Sequence, residues 1–83
     1  MTPPELRAVF IAEIVRVAPD IDPATVADTD HLQDDLQLDS MDVLSLVAGL
    51  HARLGIDVPE ADYREISTSA RAVDYLSRRL GTG

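Results

Sequence analysis

A serine follows an aspartate where an acidic segment gives way to an apolar pattern. Asp39 is a good helix N-cap, and Asp42, three residues later, can complete a capping box, so Ser40 is predicted at the first helical position. Unpaired backbone N–H groups and the positive end of the helix dipole favour an anion there. A phosphate ester on the Ser40 hydroxyl would therefore be stabilised, although Asp-Ser before an apolar run is also a common way simply to begin a helix.

Two histidines are the candidate bases that could make Ser40 a nucleophile. His51 lies three turns further along the predicted helix, too far away to act on Ser40. His31 lies in the preceding loop, where spacing alone does not exclude it, so a small hydrolase that uses Ser40 stays open as a hypothesis. The chain has no cysteine, which excludes a disulfide framework, a thiolate metal site and a cysteine nucleophile.

Acidic side chains in the same segment offer oxygen ligands for calcium, namely Asp28, Asp30, Asp34 and Asp35. The ligand order of an EF-hand, its turn glycine and its closing glutamate are all missing. We therefore expect no dedicated metal site, only weak and adventitious binding of divalent cations.

The net charge of −8 is concentrated in one segment. Residues 20–42 hold eight aspartates and no Lys, Arg or Glu, whereas the rest of the chain holds seven acids and seven arginines. Nucleic acid is an improbable partner, because its phosphates would be repelled by this segment. Basic protein surfaces are expected partners, with salt-dependent encounter, although an acidic loop can also serve solubility alone.

The element that must position Ser40 is a predicted helix over residues 40–54, ended by Gly55. Its apolar residues form two separate arcs. The arc assigned to the core contains Val43, Leu46, Val47, Leu50 and Leu54. The second arc contains Met41, Leu44, Ala48 and Ala52, and we interpret it as a docking surface, because a chain of 83 residues has too small a core to bury both.

Three more helices are predicted, over residues 3–17, 60–66 and 68–80, with a long connection between the first and second helices. Apolar residues along this connection are expected to pin it to the core: Ile21, Val26, Leu32, Leu36 and Leu38. In the last helix we expect Val73, Leu76 and Leu80 to face the core and Tyr75 to lie off that stripe. A solvated basic face is expected at Arg71, Arg78 and Arg79.

The prediction is therefore an all-α helical bundle, a single domain over residues 1–83, with three main helices and one short one. The sequence has neither a basic-then-apolar N-terminus nor a long uncharged apolar run. We expect a soluble, cytoplasmic protein without a membrane span, and a monomer.

One motif and its context resemble a known family. The motif is Asp34-Asp35-Leu36-Gln37-Leu38-Asp39-Ser40-Met41, followed by the apolar helix pattern, Ile56-Asp57-Val58-Pro59 and the last helix. This arrangement looks like an acyl carrier protein. The resemblance implies 4′-phosphopantetheine attached to Ser40 through a phosphodiester, with acyl groups held as thioesters on its terminal thiol. It implies a carrier that is a substrate of a phosphopantetheinyl transferase and not an enzyme itself.

The resemblance also implies partners and a docking surface. Partners would be the transferase and acyl-processing enzymes of fatty-acid, polyketide or related metabolism, with basic surfaces. Docking residues would be Asp35, Asp39, Met41, Asp42, Leu44, Ala48, Glu60 and Asp62. The core, by the same resemblance, should open enough to shelter a bound acyl chain.

The sequence departs from the family at two places. Many members have a glycine where this chain has Gln37, and a positive φ there would be unfavourable for glutamine. Later in the second helix, where fatty-acid carriers are often rich in glutamate, this chain has Ser45, His51, Ala52 and Arg53. The sequence is therefore as consistent with a polyketide, lipid or other acyl pathway as with fatty-acid synthesis. A peptidyl carrier and a non-catalytic interaction bundle that docks through Met41 and Leu44 are the alternatives.

Overall fold

The computed structural model describes residues 1–81, and within them the only regular structure is helical. Helix α1 spans Pro3–Val17, and Thr2 begins it with both hydrogen bonds of a capping box to Glu5. Helix α2 spans Ser40–Leu54 and ends at Gly55, whose φ of 70° gives the left-handed cap that glycine favours. The all-α prediction is confirmed, and the predicted bounds of these two helices agree with the observed ones.

Two 3₁₀ segments and a third α-helix complete the fold. A first 3₁₀ turn spans Pro23–Thr25 in the long connection, and a 3₁₀ helix spans Glu60–Ile66. Helix α3 spans Ser69–Arg79, one residue shorter at each end than predicted, because Thr68 is its N-cap and accepts the N–H of Arg71. None of the helices within residues 1–81 is long and apolar enough to cross a bilayer.

Helix α1 is the element that the others pack against. It contacts α2, α3 and the first 3₁₀ turn, while α3 also contacts the 3₁₀ helix. No Cα atom of α2 lies within 8 Å of a Cα atom of α3 or of the 3₁₀ helix. The start of α2 is therefore separated from the 3₁₀ helix by a gap, and that gap matters for the site.

One cluster of aliphatic side chains, with Phe10 and Tyr75, forms the core. The connection between α1 and α2 is pinned to it by Val26, Leu32 and Leu38, which are buried. Backbone bonds fasten the same connection to the region around the start of α3: the Leu32 N–H donates to the Ser67 carbonyl at 2.9 Å. Pinning at intervals, as the sequence predicts, explains how a long connection holds a fixed position before Ser40.

The prediction for the core face of α3 was wrong at Tyr75, whereas Arg71, Arg78 and Arg79 are exposed as predicted. Tyr75, expected off the core stripe, is only 6% exposed, and Ala72 is fully buried. Arg79 is exposed, and it also donates from one terminal nitrogen to the Tyr75 hydroxyl at 2.7 Å and from the other to the Asp57 carbonyl at 3.1 Å. The reason is tertiary, since the Tyr75 hydroxyl can be buried only because the 3₁₀ helix supplies Asp62 as its acceptor.

Candidate functional site

Ser40 lies at the first position of α2, on an exposed surface. Asp39 accepts the Asp42 N–H at 2.8 Å, and Asp42 accepts the Asp39 N–H at 3.3 Å, so the predicted capping box is present. Within residues 1–81 the Ser40 hydroxyl makes no hydrogen bond, and neither do the backbone N–H groups of Ser40 and Met41. The hydroxyl is thus open to an external reagent, with two unpaired donors beside it for an anion.

Gln37 has a φ of 61°, and it is the one residue other than glycine with a positive φ in the described chain. The chain turns sharply there, so that Leu38 enters the core and donates its N–H to the Leu32 carbonyl at 2.9 Å. Asp39 then stands where it can cap α2. This position does require a left-handed backbone, and a side chain in that conformation is unfavourable by about 1–2 kcal/mol.

A cleft of about 410 Å³ opens beside Ser40. It lies in the gap between α2 and the 3₁₀ helix, with residues of the acidic connection closing one side. The residues that line it are His31, Leu32, Gln33, Ser40, Val43, Leu44, Glu60, Tyr63, Arg64 and Ser67. The fold thus brings Ser40 together with two predicted docking residues: Leu44, one turn along the same helix, and Glu60, which is distant in sequence.

His31 lines this cleft but is not arranged as a base for Ser40. Its Nδ1 atom accepts the backbone N–H groups of Gln33 at 3.2 Å and Asp34 at 3.3 Å. The neutral ring therefore carries its proton on Nε2, which leaves neither ring nitrogen free to accept the Ser40 proton. No hydrogen bond joins His31 to Ser40 in the part of the chain that the structure describes, and the geometry disfavours a hydrolase.

The predicted apolar docking residues lie on the surface. Met41 is 72% exposed and Leu44 is 50% exposed, while Ala48 is exposed one turn further along. Neither Met41 nor Ala48 lines the cleft, so the exposed arc of α2 and the cleft meet only at Leu44. These exposed apolar side chains, beside an exposed serine, are available for contact with another protein.

Most of the predicted docking acids are exposed but already accept a hydrogen bond. Asp35 accepts the His31 N–H at 2.7 Å, and Asp39 and Asp42 form the capping box, yet each keeps an exposed or half-exposed carboxylate. Asp62 accepts the Tyr75 hydroxyl at 2.8 Å and so links the 3₁₀ helix to α3. Burial, and then this hydrogen bond, raise the pKa of Tyr75.

The aspartates considered as calcium ligands are used in other ways. Asp28 pairs with Arg7 at 2.6 Å, and Asp30 accepts the Ala27 N–H at 2.9 Å. Over residues 1–81, no three His, Asp or Glu side chains are grouped closely enough to hold a metal ion.

One buried acid was not found from the sequence. Glu13 on α1 is only 4% exposed, and it accepts from Arg16 at 2.7 Å and from Arg53 of α2 at 3.2 Å. Arg16 also donates to the Ser45 carbonyl at 2.8 Å. A Glu and an Arg three residues apart within an apolar run were the available signal, but only the fold brings Arg53 to them.

The chain matches known proteins over most of its length. The family model described as the phosphopantetheine attachment site matches residues 9–76. Fold and site thus define a helical carrier domain of the phosphopantetheine-attachment class.

Two curated relatives of this chain are acyl carrier proteins, and they identify the family within this class. The chain is 36% identical over 61 residues to the acyl carrier protein of Thermotoga maritima, a match that covers 74% of this chain and 75% of that protein. It is 33% identical over 55 residues to the mitochondrial acyl carrier protein of Neurospora crassa, which covers 66% of this chain and 41% of that protein. The chain belongs to the acyl carrier protein family, whose members are carriers and not enzymes and hold 4′-phosphopantetheine.

Proposed function

We propose that Ser40 is the attachment point of 4′-phosphopantetheine and that this chain delivers acyl groups to partner enzymes. The observation that carries the proposal is the exposed Ser40 hydroxyl, which has no hydrogen-bond partner within residues 1–81 and stands beside two unpaired N–H groups at a capped helix start. Ser40 also falls within the matched residues 9–76. The terminal thiol of the bound group would hold each acyl chain as a thioester.

In the attachment reaction, the residues around Ser40 and the transferase would have different roles. The Ser40 oxygen becomes part of the phosphodiester, and the Ser40 and Met41 N–H groups are free to donate to its phosphate oxygens. Neither nitrogen of His31 is free to accept the serine proton, so its removal falls to the transferase. Asp39 and Asp42 keep the helix start in place through the capping box.

The docking surface is proposed to be the exposed arc of α2 with the acids around it. Met41, Leu44 and Ala48 would supply the apolar contact, and Asp35, Asp39, Asp42 and Glu60 would face basic side chains of the partner. Arg16 and Arg53 occupy the surface near the later turns of α2, which supports docking of basic partners at its first turns. The pathway would be fatty-acid, polyketide or related acyl metabolism, and we propose a cytoplasmic, monomeric protein with one domain.

An intact-mass measurement tests the attachment point. The protein is incubated with coenzyme A and a broad-specificity phosphopantetheinyl transferase, and we expect the mass of one phosphopantetheine to be added. Ser40→Ala should add none. Ser45→Ala is the matched control on the same helix, and it should be modified like the unaltered protein. Modification of the Ser40→Ala variant, or no added mass on the unaltered protein, would refute the proposal.

The exposure of Met41 and Leu44 favours a second candidate, an interaction bundle that docks a partner without any bound group. It differs from the carrier in one consequence, since Ser40→Ala would then leave partner binding and cellular function unchanged. A peptidyl carrier would share the modification at Ser40 and differ in carrying aminoacyl groups.

A further inference from the structure

Arg64, in the wall of the cleft opposite α2, is a cation that has no ion-pair partner among residues 1–81. Five of the seven arginines donate from their side chains to acids or carbonyls of the chain: Arg7, Arg16, Arg53, Arg78 and Arg79. The guanidinium groups of Arg64 and Arg71 have no hydrogen bond or ion pair with any residue in the range 1–81. Of these two, Arg64 lines the cleft and Arg71 does not.

Seven of the ten residues that line the cleft have a polar or charged side chain, although apolar atoms supply more of its surface, and side chains that can donate outnumber the acids. The Gln33 amide and the Tyr63 hydroxyl have no partner within residues 1–81, and His31 keeps its Nε2 proton because Nδ1 is occupied. Glu60 is the single acid of the lining, and it lies more than 4 Å from the nitrogens of Arg64, since the two form no ion pair. Leu32, Val43 and Leu44 can contact the methylene groups of an acyl chain. A carboxylate at the end of that chain could accept from the unpaired donors, which a purely aliphatic chain would leave without a partner.

We propose that this cleft receives acyl groups that end in a carboxylate, with Arg64 as the cation that contacts it. The inference rests on the proposed attachment at Ser40, which lies at the cleft and from which the arm would fold back. An arginine fork matches a carboxylate in geometry and charge. The aspartates of residues 20–42 oppose an anion in the cleft, but salt weakens their repulsion over a length of about 8 Å at physiological ionic strength, whereas Arg64 would contact the anion directly.

The experiment compares two acyl groups of the same shape. A glutaryl group and its terminal amide are each loaded onto the protein from their coenzyme A thioesters by the broad-specificity transferase. Docking is followed by the NMR shifts of the backbone amides of Gln33, Tyr63 and Arg64 relative to the protein with the unacylated arm. We expect larger shifts for the glutaryl group than for the amide.

Three variants assign the effect to Arg64. Arg64→Gln should lower the docked population of the glutaryl arm about two- to fivefold, the range of exposed ion pairs. Glu60→Gln should raise it, because the opposing charge is removed. Arg71→Gln removes an equally unpaired arginine outside the cleft and should change nothing. All three side chains are exposed, and the amide spectrum of each variant shows directly whether it is folded.

The other outcomes are decisive. Equal shifts for the glutaryl group and its amide, or an equal effect of Arg64→Gln and Arg71→Gln, would overturn the inference. Arg64-dependent shifts of the unacylated arm would make the phosphodiester the ligand and also overturn it. If the arm is attached to Ser40 but no acyl group shifts these amides, the inference fails and the proposed function stands. If nothing is attached to Ser40, both fail.

Discussion

Ser40 is distinguished from a serine nucleophile by what its neighbours are bonded to. A nucleophilic serine needs a base with a free nitrogen or oxygen within hydrogen-bond reach. His31 lines the same cleft, but backbone N–H groups of its own loop occupy Nδ1. The same bonds order the loop that closes one side of the cleft. His31 is therefore better explained as a residue that shapes the loop than as a catalytic group.

At Gln37 a single substitution should stabilise the protein. Gln37→Gly removes the unfavourable left-handed conformation, about 1–2 kcal/mol, and adds the backbone entropy of glycine to the unfolded state, about 0.5–1 kcal/mol. The free energy of unfolding, measured in urea, should rise by up to about 1.5 kcal/mol. Gln33→Gly, in the same loop but at a negative φ, should instead lower it by about 0.5–1 kcal/mol. A loss of stability in Gln37→Gly would contradict this explanation.

Helices α1 and α2 are held together by a buried carboxylate as well as by the aliphatic core. The Glu13 carboxylate lies directly over the backbone of α2 at Gly49, and Arg16 and Arg53 fix it from either side. The Cβ atom of an alanine at position 49 would overlap this carboxylate. Glycine is needed there for space, and not for its backbone freedom, because position 49 is in the middle of α2.

Gly49→Ala should therefore destabilise the protein, although alanine is the better helix former. We expect a loss of about 1–3 kcal/mol in the free energy of unfolding, as for other insertions into packed sites. The control is the same substitution in a Glu13→Ala background, where the carboxylate is gone and only the end of the flexible Arg16 side chain, 2.7 Å from the Cβ position, has to move. There Gly49→Ala should be neutral or stabilising by up to about 1 kcal/mol. Equal effects in both backgrounds would show that the carboxylate does not set the requirement for glycine.

The 3₁₀ helix is attached to α3 through Tyr75, and this attachment supports one wall of the cleft. The Tyr75 hydroxyl donates to Asp62 at 2.8 Å and accepts from Arg79 at 2.7 Å, and the Arg79 guanidinium lies 5.6 Å from the centroid of the Tyr75 ring. Asp62 thus helps to fix the position of the segment that carries Glu60 and Arg64.

This attachment should make stability depend on pH above neutrality. The pKa of Tyr75 is raised above its ordinary value of 10.0, so the folded protein holds the phenol proton more tightly than the unfolded chain. The resulting stabilisation is complete below pH 10 and is lost as the pH rises through the raised pKa. Urea unfolding from pH 8 to about pH 11 should show this decline.

Tyr75→Phe is the control, because it cannot ionise at this position. It should be less stable than the unaltered protein at pH 7, since Asp62 and Arg79 lose their partner. Its decline above pH 10 should be shallower. An equal decline in both proteins would assign the pH dependence to other groups.

Over the whole molecule, the charge is strongly asymmetric. The eight aspartates of residues 20–42 lie in the segment that leads into Ser40 and the first turn of α2, while the seven arginines all lie outside that segment. Of the eight, Asp28 pairs with an arginine, and several others are held by backbone N–H groups, which fix their positions without cancelling their charge. A partner with a basic surface would be steered to Ser40 by this field.

The transferase reaction can measure this steering. The apparent KM of the unmodified protein should rise with ionic strength and should rise about two- to fivefold in Asp39→Asn at low salt, with kcat little changed. Asparagine is also a good N-cap, so the substitution removes the charge and keeps the helix start. Asp20→Asn, which neutralises a charge of the same segment just after α1, should have a smaller effect. A KM that responds to neither salt nor Asp39→Asn would rule out electrostatic docking.

By itself the sequence determined the local structure around Ser40. Capping residues, turn glycines and apolar periodicity are local signals, and they predicted the helix starts at Thr2 and Asp39 and the helix end at Gly55. The comparison with the family pattern pointed to Gln37, where the structure then shows a positive φ. The resemblance of residues 34–41 to the family motif predicted the carrier class.

Only the tertiary structure decided which distant side chains meet. Tyr75 was predicted outside the core because periodicity cannot show that Asp62 accepts a hydrogen bond from its hydroxyl. The burial of Glu13 was not predicted because Arg53 reaches it from another helix. Arg64 is an exposed arginine that no local signal marks, and only the gap between α2 and the 3₁₀ helix places it in the same cleft as Ser40. Backbone and capping preferences act over a few residues, whereas burial, ion pairing and clefts depend on which elements pack together.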